Sequence, residues 1–476
     1  MRRLLRAGNA CVSANANRSP LLERRRAGVL CHLTSLPGPF RHGTVGSDAL
    51  QFLDWLAECG FSIWQVLPLN PPDRFGSPYS SVSLFAIDAT LRDPALELDN
   101  VGALRAYARR RGDAFEHFQT TAAGWLADYC RYCIARREYG ADWTAWPAPL
   151  RQRDRDALER FDARHTRAIE QAQLAQFVVH DGFCGLKSAA AERGIALFGD
   201  MPLYPALASA DVWSQQRFFE LGRDGRPALV AGVPPDYFSA TGQLWGNPIY
   251  AWDALEHSGF RWWIARLTGQ LELFDLVRID HFRGLQAYWA VPAEATSATA
   301  GRWYPAPGHA LLAALANHFD PLPIAAEDLG VITPEVDALR ESFGLPGMRV
   351  LQFAFSGDPD NPHLPANYSP NTIAYTGTHD NDTTLGWYRS LPAAVQRTVS
   401  DFAGGALPWA LLEVLWRCAA NLAIVPMQDL LELDSQHRMN TPGRAEGNWR
   451  WRFDWSQLDA RLSARIRSRL TEYGRV

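Results

Sequence analysis

The residues of this 476-residue chain best suited to chemistry are Arg278, Asp280, His281 and Arg283, which close the largely apolar stretch that begins at Phe274 and precede Gly284. A β-branched run that stops abruptly in charges reads as a buried parallel strand emerging into a site. Period two puts Arg278 and Asp280 on one side of that strand and Ile279 on the other. An unpaired charge there would be costly, so the pair serves either structure or chemistry. Two further runs end the same way, in Glu327-Asp328 and in His379-Asp380-Asn381-Asp382. One carboxyl from each of three segments, aimed at a shared centre, suits glycoside chemistry: a nucleophile, a proton donor and a third anion beside the developing positive sugar. Retention requires the first two to stand roughly 5 to 5.5 Å apart. Arg278 would keep a neighbouring carboxylate ionised, and Glu327, opposite Asp280, fits the carboxyl held partly protonated by like charge and burial. His281 and His379, while neutral, would donate hydrogen bonds to sugar hydroxyls. The same residue types also bind divalent ions, but no compact ligand string such as an EF-hand loop or His-Glu-x-x-His is present. Asp328 and Asp382 are expected to brace loops.

Two other stretches offer groups that recognise sugars. Gly76-Ser77-Pro78-Tyr79-Ser80-Ser81 is a turn-forming loop that would hold Tyr79 over a ring. Residues 234–248 combine rigid prolines and permissive glycines with Asp236, Gln243, Trp245 and Asn247. A sugar has an apolar face and a polar edge, so a Trp platform beside amides is apt. The competing reading buries Trp245 in a small subdomain.

Eight short apolar runs would position these groups: residues 29–33, 63–69, 196–204, 274–279, 323–326, 348–355, 372–375 and 422–427. Amphipathic stretches separate most of them, at 47–59, 166–193, 260–268, 334–343 and 392–419. Eight strands alternating with helices make a (β/α)8 TIM barrel, whose chemistry lies at the carboxyl ends of the strands. An open doubly wound sheet is the rival, weakened because no Gly-x-Gly-x-x-Gly follows the first strand. The spacing leaves surplus chain, expected as mainly helical and loop insertions at the carboxyl face, at about 76–165, 205–257 and 285–319. Residues 1–22 read as an N-terminal extension, and 23–476 as one catalytic barrel.

Hydrophobic residues make up 47% and charged residues 21%, which excludes a disordered chain. A formal net charge of -4 asks for neither nucleic acid nor an anionic membrane. The 18 Trp and 14 Tyr suit a wide groove that stacks flat faces. Seven Cys, an odd number in a long chain, point to a reducing compartment. Cys130-x-x-Cys133 lies in a helical pattern with no second pair at zinc-finger spacing. No run of eighteen apolar residues would cross a membrane, and the Arg-rich start lacks the apolar segment of a secretory signal.

Taken in order, several strings resemble glycoside hydrolase family 77 of the alpha-amylase clan, the 4-alpha-glucanotransferases. They are Gly76-Ser77-Pro78-Tyr79 with Ser83 and Phe85, the loop 233–247, and Arg278-Ile279-Asp280-His281-Phe282-Arg283-Gly284. They continue with Ala326-Glu327-Asp328-Leu329-Gly330, Leu345-Pro346-Gly347-Met348, Thr378-His379-Asp380-Asn381-Asp382-Thr383-Thr384 and Arg438-Met439-Asn440-Thr441-Pro442-Gly443. The resemblance covers nearly all of the chain. It implies that Asp280 is the nucleophile, Glu327 the general acid and base, and Asp380 the carboxylate that stabilises the transition state. It also implies that Arg278 orients the nucleophile, that His379 grips the transferred sugar, and that Tyr79, Asp236, Trp245 and Asn440 contact the glucan. Such proteins act on α-1,4-glucans and maltooligosaccharides, need no cofactor or metal, and are usually cytoplasmic. A retaining α-1,4-glucan hydrolase of the same clan and a silent glucan-binding protein are the alternatives. Two positions depart from the family pattern: Leu207-Ala208 stand where His-Asp is usual, and Asp88 stands where Asn is frequent.

Overall fold

The computed structural model describes residues 19–38, 40, 42–235 and 241–476. Its strands in chain order are β1 (Arg26–Leu30), β2 (Ile63–Gln65), β3 (Ala196–Met201), β4 (Leu229–Val233), β5 (Gln243–Pro248), β6 (Leu276–Ile279), β7 (Ala287–Pro292), β8 (Arg302–Pro305), β9 (Ile324–Ala326), β10 (Gly347–Val350), β11 (Thr372–Tyr375) and β12 (Leu422–Pro426). The eight expected runs supply β1, β2, β3, β6, β9, β10, β11 and β12. These lie side by side and parallel in the order β10-β11-β12-β1-β2-β3-β6-β9. Every residue of β6 and β12 is buried, which is why such strands read as continuous apolar runs rather than alternating ones. The helices cover them with one apolar stripe each. Helix Ser47–Cys59 buries Phe52, Leu53 and Leu56 and ends where Gly60, at φ 87°, turns its N–H back to the Ala57 carbonyl.

The ring closes between β9 and β10 without a strand ladder. The Ala326 N–H donates to the Pro346 carbonyl at 2.9 Å. The Met348 N–H donates to Asp328 Oδ1 at 2.6 Å, and Arg349 and Arg340 stand 3.1 and 3.3 Å from Asp328 Oδ2. Gly347 is required beside it, because a Cβ there would overlap the Asp328 carboxylate. Asp328 therefore braces the barrel wall itself, a stronger form of the bracing expected for it.

Between β2 and β3 the chain forms helices Val101–Arg110, Gly112–Thr121, Leu126–Tyr139 and Ala148–Arg151, then the 38-residue helix Arg155–Glu192. That helix departs from helical geometry at His165, where the sequence pattern also divides. β4, β5, β7 and β8 make a second, antiparallel sheet in the order β5-β4-β7-β8. The sequence reading did not anticipate it. Its strands carry Gly and Pro, and β5 and β8 are largely exposed, so neither alternation nor an apolar run marks them. At the amino end, residues 1–18 of the expected extension lie outside the described residues. Leu22 is already buried in the core, and its carbonyl accepts from Asn421 at 2.6 Å.

Candidate active site

Arg278 in β6 and Asp280, the residue immediately after that strand, lie on the same side, as period two requires. Arg278 Nη2 lies 2.9 Å from Asp280 Oδ1. The Arg278 Nη1 group donates to both oxygens of Asp200 at 2.7 Å, and Asp200 on β3 is the direct ladder partner of Arg278. Burial opposes the charge of Arg278, but Asp200 and Asp280 on either side raise its pKa well above the ordinary value. Asp200 is 1% exposed and was not among the expected site residues. A lone Asp inside the buried run Ala196–Met201 was the signal that could have found it.

The chain leaves β6 through His281 at φ 50° and ψ 48°, a left-handed conformation uncommon for a residue with a side chain. This sharp turn aims the His281 N–H at Glu327 Oε2, 2.7 Å away. Glu327 Oε1 accepts from the Leu329 N–H at 3.1 Å. The Glu327 carboxyl is thus held against the residue that follows Asp280. Burial pushes its pKa up to about 8; the Asp280 charge adds to the rise, and Arg278 and the His281 N–H oppose it. Burial also lowers His281 to about 4, so its imidazole is neutral at neutral pH.

Asp380 follows β11 on the other side of the centre. Its Oδ1 accepts from Asn440 Nδ2 at 2.6 Å and lies 3.3 Å from His379 Nε2. Arg438 Nη2 donates to the Asp380 carbonyl at 2.8 Å. The Tyr79 ring stacks on His379 at 5.1 Å and 12°, while its hydroxyl donates to Asp200 Oδ2 at 2.7 Å. One connected set of contacts therefore runs from Asp280 through Arg278, Asp200, Tyr79 and His379 to Asp380 and Asn440. Trp449, which the sequence reading missed, sits beside both Tyr79 and His379, at 5.8 and 5.9 Å between ring centres.

The rim groups divide. Trp245, 37% exposed, meets His281 edge to face at 4.8 Å, so it stands at the site rather than inside a subdomain. Its indole N–H donates to the exposed Gln243 Oε1 at 3.1 Å. Asn247 donates its amide to the Pro205 carbonyl at 2.9 Å and so ties β5 to the segment after β3. Asp236 lies outside the described residues. Asp382 accepts from Ser435 Oγ at 2.7 Å and braces its loop, as expected. Of the departures, Leu207 offers its carbonyl to Trp143 Nε1 at 2.7 Å, and Asp88 caps a short turn through the Thr90 N–H. Among the described residues, no group of three His, Cys, Asp or Glu side chains is arranged to hold a metal ion.

Fold and site together define a (β/α)8-barrel enzyme with its acids gathered at the carboxyl ends of the strands. A family model described as 4-alpha-glucanotransferase, glycoside hydrolase family 77, matches residues 31–110 and 100–458. The 4-alpha-glucanotransferase of Thermus thermophilus is 43% identical over 93% of this chain and 98% of its own. The chloroplastic/amyloplastic 4-alpha-glucanotransferase of Solanum tuberosum is 39% identical over 95% and 87%. The amylomaltase of Streptococcus agalactiae, solved in complex with acarbose, superposes with a TM-score of 0.90 at 32% identity, covering 95% of this chain and all of that one. The chain belongs to glycoside hydrolase family 77, the 4-alpha-glucanotransferases.

Proposed function

We propose that the protein moves a segment of an α-1,4-glucan from a donor to the 4-hydroxyl of an acceptor glucan or glucose, with retention, through a covalent glucosyl-enzyme. Asp280 attacks the anomeric carbon while Glu327 gives its proton to the departing glycosidic oxygen. Glu327, now ionised, takes the proton of the acceptor 4-hydroxyl as that oxygen displaces Asp280 from the same face of the sugar. Arg278 holds and aims Asp280. Asp380, set by His379 and Asn440, offsets the positive charge that grows on the ring. Tyr79 and Trp245 hold the glucan, with Gln243 and Asn247 on the same rim. The observation that carries this reading is the bond of Glu327 Oε2 to the N–H of His281, the residue after Asp280. It puts a carboxyl protonated at neutral pH beside one paired with Arg278. The six described cysteines are unpaired, which supports placing the protein in the cytoplasm.

Incubation with maltotriose tests the reaction. The wild type yields glucose and longer oligomers without net growth of reducing ends, and Asp280→Asn yields neither. Reducing ends that rise in step with cleavage would make hydrolysis the primary reaction.

A further inference from the structure

A second cavity, of about 670 Å3, is lined by none of the active-site residues named above and is large enough for a small molecule. Phe85, Phe118, Trp125 and Trp262 give it a mainly apolar wall. Phe85 packs on Trp125 and Trp262 with ring centres 6.1 and 5.9 Å away. Three of the polar side chains on the wall are already engaged. Gln176 exchanges two hydrogen bonds with the Ile87 backbone, at 3.1 and 2.8 Å. Asp211 accepts from the Leu84 N–H at 2.8 Å and Ser83 Oγ at 3.3 Å. Glu272 lies 2.9 Å from His180 Nε2. A glucan, with hydroxyls all round, would find few partners here, whereas a flat apolar body would find a matching wall.

Two features point to the rest of such a ligand. Trp262 is 6% exposed, and its indole N–H has no partner, which leaves a buried donor on the wall. Arg217 and Arg261 are exposed residues of the same wall. Arg217 lies over the Phe218 ring and Arg261 donates to the Ser258 carbonyl; neither pairs with a carboxylate among the described residues. The space is also kept clear. Gly269, inside helix Arg261–Leu273, and Gly124, from the segment before helix Leu126–Tyr139, both line it, and a Cβ on either would meet no atom within 4 Å. A glycine inside a helix weakens it relative to alanine.

We infer that this cavity is a binding site for a small aromatic carboxylate, its ring against Phe85 and Trp262 and its anionic group toward Arg217 and Arg261. The occupant is felt at the substrate site, because Gln176 and Asp211 on this wall pin the backbone of residues 83–87, which continues the loop carrying Tyr79.

The test uses the full chain and indole-3-propionate as probe, with neutral indole beside it. Calorimetry should show saturable binding of the carboxylate, at least tenfold tighter than indole and at least tenfold weaker in Gly269→Leu. The probe should change the maltotriose KM at least twofold in the wild type and leave it unmoved in that variant. Gly124→Leu fills the cavity from the other wall and should behave alike if Gly269→Leu fails to fold. Equal affinity in filled and unfilled proteins, absence of saturable heat, or an unmoved KM in the wild type would overturn the inference. Binding is read without turnover, so its failure is distinct from failure of the transfer reading.

Discussion

Arg278 holds two carboxylates at once, one buried on β3 and one at the mouth of the site. Asp280 faces a cation, while Glu327 is surrounded by protein and sees Asp280 across the turn at His281. A proton donor with a pKa near 8 loses its proton as pH rises, so kcat should fall along an alkaline limb centred near pH 8. Glu327→Gln should cost about 10²- to 10⁴-fold in kcat and abolish that limb, read from a pH–rate profile with maltotriose. Stability has a definite sign as well. The folded pKa lies above the ordinary 4.5, so between these values the native state binds the extra proton and loses stability as pH rises. Glu327→Gln removes this loss, and its melting temperature should gain on the wild type between pH 5 and pH 9.

At the scale of elements, the β3–β6 ladder and the β5 edge do separate work. Asp200 and Arg278 are direct neighbours in register, both buried, so Asp200→Ala leaves a guanidinium short of its partner inside the barrel. Urea unfolding should show a loss of about 3 kcal/mol. Trp245 on β5 acts on binding: Trp245→Ala should remove about 1 kcal/mol, roughly a fivefold rise in KM for long glucans, with the Glu327 limb unmoved. A shifted limb at unchanged KM would contradict that assignment. These two elements also mark what the sequence discloses. The barrel strands were legible because burial on both faces writes an unbroken apolar run that ends in the catalytic acids. β5 and β8 were not, since exposed strands rich in Gly, Pro and aromatics carry no periodic signature. Asp200 escaped for a related reason, as its function depends on a neighbour 78 residues away that only the ladder register reveals. Asn247 reads as a sugar-binding amide in sequence, and the structure adds a second task, since one N–H of that amide is taken by the Pro205 carbonyl 42 residues earlier in the chain.

At the scale of the whole molecule, the ring has one joint unlike the others, where β9 meets β10 through the Ala326 N–H and the Asp328 side chain. β6 and β9 are laddered together, so Asp280 and Glu327 move as one piece. Asp380, His379 and Asn440 belong to the far bank, reached from β11. Slack at the joint would change the span between the two banks while sparing the separation of Asp280 from Glu327. Gentle heating should then silence turnover before circular dichroism registers any collapse, and among the buried amides of the barrel strands deuterium should enter first at Met348. An enzyme assembled this way carries its own thermal fuse, wired through one aspartate and blown before the frame is harmed.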